Sequence, residues 1–252
     1  MMRLALFAAG AVGAEIASFM ATTSDPPVAL IVHANEGPEM KEKIIVAARV
    51  PAGTVFTSDD LNTEGGLQRL RGVGADIGIL AWWPSIIRRP LLEVPRLGFL
   101  NFHPSLLPHN RGKHYNFWSI LERAPFGVTL HWITDNIDAG DIAFQRPIET
   151  TWEDTGETLY LKAQREIVDL FKERFSEIAA GRIPRISQDP NTGSFHHSSE
   201  LDTASRIDLD SPTTARAVLN ILRARTFPPH PAAWFEENGQ RYEVRVSIRR
   251  TE

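Results

Sequence analysis

Short apolar runs alternate with helix-like segments from Leu4 to His103, and this alternation restricts the possible folds more than any other feature. Continuous apolar strands separated by helices are typical of parallel sheets that helices cover on both faces. The expected strands are Leu4–Ala8, Pro27–His33, Ala75–Ala81 and Gly98–His103. The expected helices are Val12–Ala21, Asp59–Arg71 and Pro84–Leu92. The sequence therefore predicts an α/β fold with a doubly wound, mainly parallel sheet.

The remainder of the chain contains one long helix and a different C-terminal part. The segment from Thr155 to about Ala180 carries an apolar stripe, with Thr155 as the expected N-cap and Gly181 as the expected stop. Further on, Ser211-Pro212 is expected to open a helix, and Asn238-Gly239 to form the type I′ turn of a hairpin. The pattern predicts a main domain at residues 1–185 and a small helix-plus-hairpin appendage at residues 186–252.

Composition excludes several classes of protein. The 252 residues carry 27 Lys plus Arg against 31 Asp plus Glu, so the net charge of −4 disfavours a broad basic surface for nucleic acid. The absence of cysteine excludes disulfides and thiolate metal sites, and the histidines show no metal-ligand spacing. No apolar run is long enough to span a membrane. We expect a cytoplasmic protein without a metal, a membrane or a nucleic-acid partner.

The turn Gly10-Ala11-Val12-Gly13 follows the first strand and has two interpretations. A dinucleotide loop would hold a pyrophosphate on backbone N–H groups at the helix N-terminus. The full motif is incomplete here, because Ala8 occupies the position of its first glycine and no acidic residue closes the second strand. A tight strand-to-helix turn is therefore favoured, with a nucleotide-binding oxidoreductase or regulatory module as the alternative.

An amide and an imidazole occur together where the fourth strand ends, in NFHPSLLPHNRG. Residues two apart on a strand share a face, so Asn101 and His103 point the same way. An amide N–H stabilises a developing oxyanion and an imidazole accepts a proton, which suits acyl transfer. Asp138, in the later stretch GVTLHWITDNIDAGDIAF, could orient the imidazole. Taken singly, the three residues would be a turn former, a core histidine and a loop cap.

These two stretches resemble the paired signature of the 10-formyltetrahydrofolate-dependent formyltransferases, and the likeness covers about residues 1–180. The resemblance implies a formyltransferase-like variant of the Rossmann fold, with Asn101, His103 and Asp138 as the catalytic trio and His131 as a supporting histidine. It also implies 10-formyltetrahydrofolate as co-substrate, with its pterin between two loops. The implied cofactor contacts are Trp82, Trp83, Ser85, Ile86, Ile133, Asp135 and Asp138, although paired tryptophans are also common as core and rim residues.

Two further stretches, RGKHYNFWSI and LRARTFPPHPAAWFEENGQRYEV, are most similar to the nucleotide-sugar N-formyltransferases. That likeness implies a nucleotide-linked amino sugar as substrate, an N-formyl sugar for a surface polysaccharide such as lipopolysaccharide O-antigen as product, and a homodimer. Glycinamide ribonucleotide and methionyl-tRNA are the alternative amines. The implied substrate contacts are Lys113, His114, Tyr115, Asn116, His131, Arg223 and Arg225. Tyr115 could instead belong to the core, and the two arginines to a solvated helix face.

Overall fold

The apolar runs of the first half fold as strands, in a computed structural model that describes residues 2–189 and 191–251. In chain order the strands are β1 (Leu4–Ala8), β2 (Ala29–Val32), β3 (Val55–Thr57), β4 (Ile77–Ala81), β5 (Phe99–His103), β6 (Arg111–Gly112), β7 (Gly127–Trp132), β8 (Ile142–Pro147), β9 (Phe195–His196), β10 (Ala233–Glu237) and β11 (Gln240–Val244). The α-helices are α1 (Gly10–Met20), α2 (Pro38–Ala48), α3 (Glu64–Val73), α4 (Tyr115–Glu122), α5 (Gly156–Ala179), α6 (Leu201–Ala204) and α7 (Ala215–Ala224).

The main sheet has seven strands in the order β3-β2-β1-β4-β5-β7-β8. The first five in that order pair in parallel, whereas β7 runs antiparallel to β5. From β1 the chain passes through α1 to β2 and through α2 to β3, on one side of β1. It then returns through α3 to β4 on the other side of β1, which is the doubly wound pattern. The predicted α/β fold with a mainly parallel sheet is confirmed, as is the helix-plus-hairpin appendage of α7, β10 and β11.

The parallel strands are buried on both faces, which explains why their sequences lack a polar alternation. On one face Phe7, Ile31 and Phe99 form a core cluster with Leu67 and Leu70 of α3. Phe7 contacts the ring of Phe99 edge-to-face, with ring centroids 5.3 Å apart. This core therefore extends along the sheet to β5 and supports the strand that carries Asn101 and His103.

Both predicted ends of the long helix α5 are confirmed by hydrogen bonds. Thr155 Oγ1 accepts from the backbone N–H of Thr158, three residues into the helix. At the other end Gly181 has φ of +72°, and its N–H donates to the carbonyl of Ile178. The N–H of Arg182 donates to Glu177, which completes a Schellman motif.

Asp154 lies just before α5 and is buried, and its carboxylate is 2.8 Å from Lys162 Nζ. Burial alone would raise the pKa of this carboxyl. The ion pair and the hydrogen bonds from Thr151 and Thr158 outweigh burial and hold the pKa below its usual range. A carboxyl with a lowered folded-state pKa contributes stability above its unfolded pKa of about 4, and this contribution is lost as the pH falls through the folded value.

We expect Asp154→Asn to lower the free energy of unfolding at pH 7 by about 1.5–3 kcal/mol, the range for hydrogen bonds to a charged group. The difference from the parent chain should begin to shrink as the pH falls below the unfolded pKa of about 4, and it should be lost as the pH falls through the lower folded pKa. Urea unfolding followed by circular dichroism at several pH values measures both quantities. Asp210→Asn is the control, since Asp210 is exposed and makes no ion pair within residues 2–189 and 191–251. A difference that stays constant with pH would contradict the prediction.

Several expected elements differ from the structure, and the helix expected at Asp59–Arg71 begins only at Glu64, after a 3-10 turn at Asp60–Asn62. Pro84–Leu92 was expected to be a helix and is not: its only helical turn is a 3-10 turn that begins at Leu91. Pro90 lies inside the expected helix, where it has no N–H to donate and its ring clashes with the preceding turn. The C-terminal helix does not open at Ser211-Pro212. Thr214 caps it instead, its side chain accepting from the N–H of Ala217. The strand expected at Pro27–His33 is shorter, since only Ala29–Val32 pairs.

The hairpin prediction is confirmed: β10 and β11 pair antiparallel, and Asn238 and Gly239 both have positive φ, as a type I′ turn requires. Helix α2 and the short strand β3 were not anticipated, nor was α4. Within the described residues, no helix is both long enough and apolar enough to cross a membrane.

The chain divides into two compact units. The first comprises Met1–His103, Thr129–Phe144 and Ile167–Ser187, and the second Pro104–Val128, Gln145–Glu166 and Gln188–Glu252. In this division the segments 104–128 and 145–166 group with the C-terminal region. The domain boundary between residues 185 and 186 stays a prediction.

Candidate active site

The register of β5 with β7 creates the polar face of the first unit. Asn101 lies directly opposite His131, and His103 opposite Thr129. Direct partners on adjacent strands point to the same face, so Asn101, His103 and His131 converge on one side of the sheet. Phe102 points to the other side and contacts Phe171 of α5, with ring centroids 5.2 Å apart. The shared face predicted for Asn101 and His103 is therefore present, and the strand pairing adds His131.

Two hydrogen bonds fix the roles of the His131 nitrogens. Nδ1 is 3.0 Å from the carbonyl oxygen of Trp132, and because a carbonyl only accepts, Nδ1 carries the proton. In the neutral ring Nε2 must then accept, and Asn101 Nδ2 lies 3.2 Å from it. This contact orients the amide with its nitrogen toward His131. The second N–H of that nitrogen remains for another acceptor.

Asp138 completes the cluster from the loop after β7. Its Oδ2 lies 3.4 Å from His103 Nδ1, and its Oδ1 lies 3.5 Å from His131 Nε2. The side chains of the two histidines are 5% and 2% exposed and that of Asp138 is 13% exposed, so solvent screens these interactions little. A carboxylate beside Nδ1 favours a proton on that nitrogen, and in the neutral imidazole of His103 this leaves the lone pair on Nε2.

The three ionisable groups also resemble a metal-ligand set. One ligand atom from each of His103, His131 and Asp138 lies within 4.8 Å of the others. However, Nε2 of His131 already accepts the amide N–H of Asn101, so metal ligation and amide orientation compete for one lone pair. The expectation of a metal-free site stays a prediction.

The loop that carries Asp138 depends on a glycine. A Cβ at Gly140 would lie 1.9 Å from the carbonyl oxygen of Trp132, closer than any side chain can approach. Asp138 itself has φ of +51°, a left-handed conformation that Asp and Asn tolerate better than most residues. The D-x-G pattern in the sequence thus reflects the tight path of this loop.

We expect Gly140→Ala to lower kcat at least tenfold, because the added methyl group must displace the loop and move Asp138 away from His103. Overpacking of this kind typically costs 1–3 kcal/mol, so the fold should survive. Steady-state kinetics with thermal unfolding separates the two effects. Gly37→Ala is the matched control, since a Cβ there meets nothing within 4 Å and φ is −59°. Unchanged kcat in Gly140→Ala would show that the loop path is not critical.

The two loops expected to hold the pterin are residues 82–87 and 133–138. Arg89, just after the first loop, forms an ion pair with the second, since its Nη2 lies 3.4 Å from Asp135 Oδ2. Ile133 donates its backbone N–H to the carbonyl of Phe99, which anchors the second loop to β5. In the first loop Ile86 is 59% exposed, and Trp82 has φ of +62°.

Trp83 and Ser85 have partners within the first unit. The indole of Trp83 contacts Phe7 and His33 edge-to-face, with ring centroids 5.4 and 5.2 Å away. Ser85 Oγ lies 2.8 Å from His33 Nε2. One side of Trp83 therefore belongs to the core, as the rim-and-core interpretation expects. His33 was not expected to contact these residues. Its position after β2 could have indicated the contact, because the carboxyl ends of parallel strands meet at one edge of the sheet.

The glycine turn after β1 has a structural role. The N–H of Gly10, the first residue of α1, donates to Glu36 Oε2 at 2.9 Å, so a carboxylate of the chain itself occupies this helix N-terminus. A Cβ at Gly13 would lie 2.9 Å from the backbone of Ala8, which shows that this glycine permits the close approach of α1 to β1. These contacts agree with a tight turn rather than a pyrophosphate loop.

In the second unit, a cavity of about 1010 Å³ collects most of the expected substrate contacts. Its polar lining comprises Lys113, His114, Tyr115, Asn116, Tyr160, Ser198, Asp202, Arg225, His230, Arg241 and Glu243. Burial lowers the pKa of His114, as do the charges of Arg225 and Lys113, while burial raises the pKa of Tyr115 well above its usual range. Both side chains are therefore neutral at pH 7.

Positive charge predominates in this cavity. Asp202 is paired with Arg241 at 2.9 Å, and Glu243 lies 3.6 Å from Arg245. In contrast, Lys113 and Arg225 make no ion pair within the described part of the chain, and Nε of Arg225 is buried without a hydrogen-bond partner there. The cavity is suited to an anionic ligand.

Arg223 and Asn116 differ from the other expected contacts. Arg223 does not line the large cavity. Its Nη1 donates to the carbonyls of Thr151 and Asp154, and its Nε donates to Asn220 Oδ1. Asn116 lines the cavity, but its Nδ2 donates to the carbonyl of Gly156. The structure thus separates Arg223 from Arg225, and it adds Tyr160, His230 and Arg241, which were not among the expected contacts although the last two lie in the stretch LRARTFPPHPAAWFEENGQRYEV.

Comparison with known proteins identifies similar chains. A family model described as formyl transferase matches residues 14–174, and one described as the N-formyltransferase dimerization C-terminal domain matches residues 200–250. Methionyl-tRNA formyltransferase from Listeria monocytogenes serotype 4a is 31% identical over 181 residues, which cover 71% of this chain and 56% of that protein. The chain thus spans about half the length of the curated relatives it matches.

Two solved structures share the fold. A 4-N formyltransferase from Francisella tularensis superposes with a TM-score of 0.83 at 22% identity, over 99% of both chains. An N-formyltransferase from Helicobacter canadensis, described in complex with folinic acid and dTDP-3-aminofucose, superposes with a TM-score of 0.71 at 18% identity, over 95% of this chain and 85% of that chain. At these identities the likeness establishes the fold alone.

Proposed function

Because the chain belongs to the formyl transferase family, we propose that it transfers a formyl group from 10-formyltetrahydrofolate to the primary amine of a nucleotide-linked amino sugar. The observation that carries the formyl-transfer step is the convergence of Asn101, His103 and Asp138 on one face of the first unit. This set provides an oxyanion donor, a proton acceptor and a carboxylate that orients the acceptor.

Each residue of this set has one role in the proposed reaction. The amine nitrogen attacks the formyl carbon, a C–N bond forms, and the formyl oxygen becomes an oxyanion. The free N–H of Asn101 donates to that oxygen. His103 takes the proton released by the amine and returns it to the folate nitrogen, as the bond from that nitrogen to the formyl carbon breaks. Asp138 holds the proton on Nδ1 of His103 and balances the charge of the imidazolium.

The cavity of the second unit supports a nucleotide-linked substrate. Lys113 and Arg225 supply unpaired positive charge for a diphosphate, since guanidinium groups bind phosphate oxygens in a bidentate manner. Tyr160 and Phe227, with ring centroids 5.3 Å apart, add aromatic surface for a base or a sugar. The Helicobacter canadensis protein, described with a dTDP amino sugar, also supports a nucleotide-linked substrate.

The competing substrate is methionyl-tRNA, because relatives with that name are about 30% identical. A net charge of −4 gives little electrostatic attraction to an RNA backbone. A nucleotide-binding oxidoreductase receives no support from the Gly10 turn, since Glu36 occupies it. Homodimerisation is supported by the description of the family model over residues 200–250. A cytoplasmic location and a role in surface polysaccharide stay predictions.

A substrate panel tests the proposal. The chain is incubated with 10-formyltetrahydrofolate and, in turn, GDP-, dTDP- and UDP-linked amino sugars, glycinamide ribonucleotide and methionyl-tRNA, and release of tetrahydrofolate and the formylated product are measured. We expect turnover with one class of nucleotide sugar. Turnover only with methionyl-tRNA or glycinamide ribonucleotide would overturn the sugar assignment and keep formyl transfer. No transfer to any amine would overturn both.

We expect Arg225→Ala to raise the KM for the active nucleotide sugar by about 10- to 100-fold with little change in kcat, which corresponds to the loss of a charged hydrogen bond. Arg223→Ala is the matched comparison, two residues away on the same helix end. It should leave KM unchanged and lower the melting temperature, because Arg223 satisfies backbone carbonyls. Equal KM effects in both variants would contradict this assignment.

A further inference from the structure

A second, smaller pocket in the second unit collects three arginine side chains. Its volume is about 230 Å³, and Arg123, Arg216, Arg223, Trp152, Thr150 and Ser119 contribute to its lining. It shares no lining residue with the large cavity that contains Arg225. The reaction described above assigns no role to this pocket, and among its arginines only Arg223 is a substrate contact implied by the sequence.

The charge of this pocket is not balanced by its own lining, which contains no carboxylate. Across the described ranges, the side chains of Arg123 and Arg216 make no ion pair and no hydrogen bond. The acidic groups nearest in sequence are Glu122, Glu153 and Asp154. Glu122 accepts from Asn110 and Ser194 and contacts His196, and Asp154 pairs with Lys162 at 2.8 Å. Glu153 accepts a hydrogen bond from the side chain of Thr151, at the edge of the pocket, and the charge of Arg250 also lowers its pKa. The pocket therefore concentrates positive charge.

Trp152 and a backbone network hold two of the guanidinium groups in place. The guanidinium carbons of Arg216 and Arg223 lie 5.0 and 4.9 Å from the centroid of the Trp152 ring. Arg223 is also fixed by Asn220 and by two carbonyls, which leaves its Nη2 hydrogens for a ligand. Burial lowers the pKa of the Arg223 guanidinium. The negative charge of Asp154 raises it, and the neighbouring positive charge of Arg216 lowers it again. An anion would relieve that repulsion.

We propose that this pocket is a binding site for a phosphate group, held by Arg123, Arg216 and Arg223. Guanidinium groups match the geometry of phosphate oxygens, and a preorganised group loses less conformational entropy on binding. The volume is below the usual range of about 300–1,000 Å³ for sites of drug-sized ligands, so it suits inorganic phosphate or the end of a small phosphomonoester. The hydroxyl of Ser119 or Thr150 adds a neutral donor.

The test titrates the full chain with inorganic phosphate, and separately with glycerol 3-phosphate, while sodium chloride keeps the ionic strength constant. Melting temperature and tryptophan fluorescence are the readouts. We expect a saturable rise in melting temperature with a saturable fluorescence change. Trp152→Phe should remove the fluorescence change and keep the thermal shift. Saturation by phosphate alone would identify the free ion, and saturation by both would identify a phosphorylated metabolite.

Arg123→Gln/Arg216→Gln should raise the apparent Kd at least tenfold. The matched control is Arg69→Gln/Arg71→Gln, which removes the same charge from exposed arginines that have carboxylate partners. Loss of binding in both double variants, an unchanged apparent Kd in Arg123→Gln/Arg216→Gln, or no saturable effect in the parent chain would each overturn the proposal. Formyl transfer measured on the same variants is expected to persist, so the two assignments fail independently.

Discussion

Replacing His103 by alanine should lower kcat for formyl transfer by about 10²–10⁴-fold, the usual contribution of a positioned proton-transfer group. His103 is the only member of the proposed trio that can take a proton from the attacking amine near neutral pH, because Asn101 does not titrate and Asp138 is engaged as its partner at 3.4 Å. Nothing in the substrate replaces this base. The KM for the nucleotide sugar should change little.

The measurement is steady-state kinetics of the His103→Ala variant across pH 5–9, with its melting temperature as a check of folding. His109→Ala is the control, since the imidazole of His109 makes no hydrogen bond within the residues that the structure describes. The acidic limb of the pH–rate profile should disappear in His103→Ala and persist in the control. A folded His103→Ala variant with kcat within threefold of the parent would exclude His103 as the base.

The second large effect is expected at Asn101. Asn101→Ala should lower kcat by about 10²–10³-fold, as loss of one oxyanion donor does in other enzymes. The loss should appear in kcat and in kcat/KM alike, because the N–H contacts the formyl oxygen most strongly in the transition state. Asn62→Ala, at an exposed position outside the site, is the control. An Asn101→Ala variant with normal kcat would require another oxyanion donor.

A double-mutant cycle then tests whether His131 acts through Asn101. If His131 only orients the amide, His131→Ala should lower kcat less than Asn101→Ala does, and the double variant should be no slower than Asn101→Ala alone. Additive losses would instead assign His131 a direct contact with a reactant. Their 3.2 Å hydrogen bond makes the non-additive result the expected one.

Sequence patterns predicted those parts of the site that depend on local geometry. The shared face of Asn101 and His103 follows from the two-residue period of a strand, and the ends of α5 follow from Thr155 and Gly181. The partnership of Asn101 with His131 could not be predicted in the same way. It depends on the antiparallel register of β5 and β7, which lies in no local motif.

Local geometry bears on two further expectations. The resemblance implies Arg223 and Arg225 as contacts of one substrate, yet residues two apart on a helix point about 200° from one another, and the structure places them in different pockets. The helix expected at Pro84–Leu92 contains Pro90 in its interior, where a proline disrupts a helix. Helix α2 and strand β3, by contrast, have weak hydrophobic patterns in the sequence, because α2 buries only Ile44 and Ala48 and β3 has only three residues. Their formation depends on packing against the rest of the fold.

Asn101 and His131 are direct partners across β5 and β7, so the proposed catalysis depends on the number of residues in β7 as well as on their identity. Deleting one residue inside β7 would bring Trp132 or Leu130 opposite the amide and turn the imidazole toward the far side of the sheet. Related chains should therefore gain and lose residues in the connection between β5 and β7, which spans residues 104–126. Within the strand itself, evolution is limited to substitution.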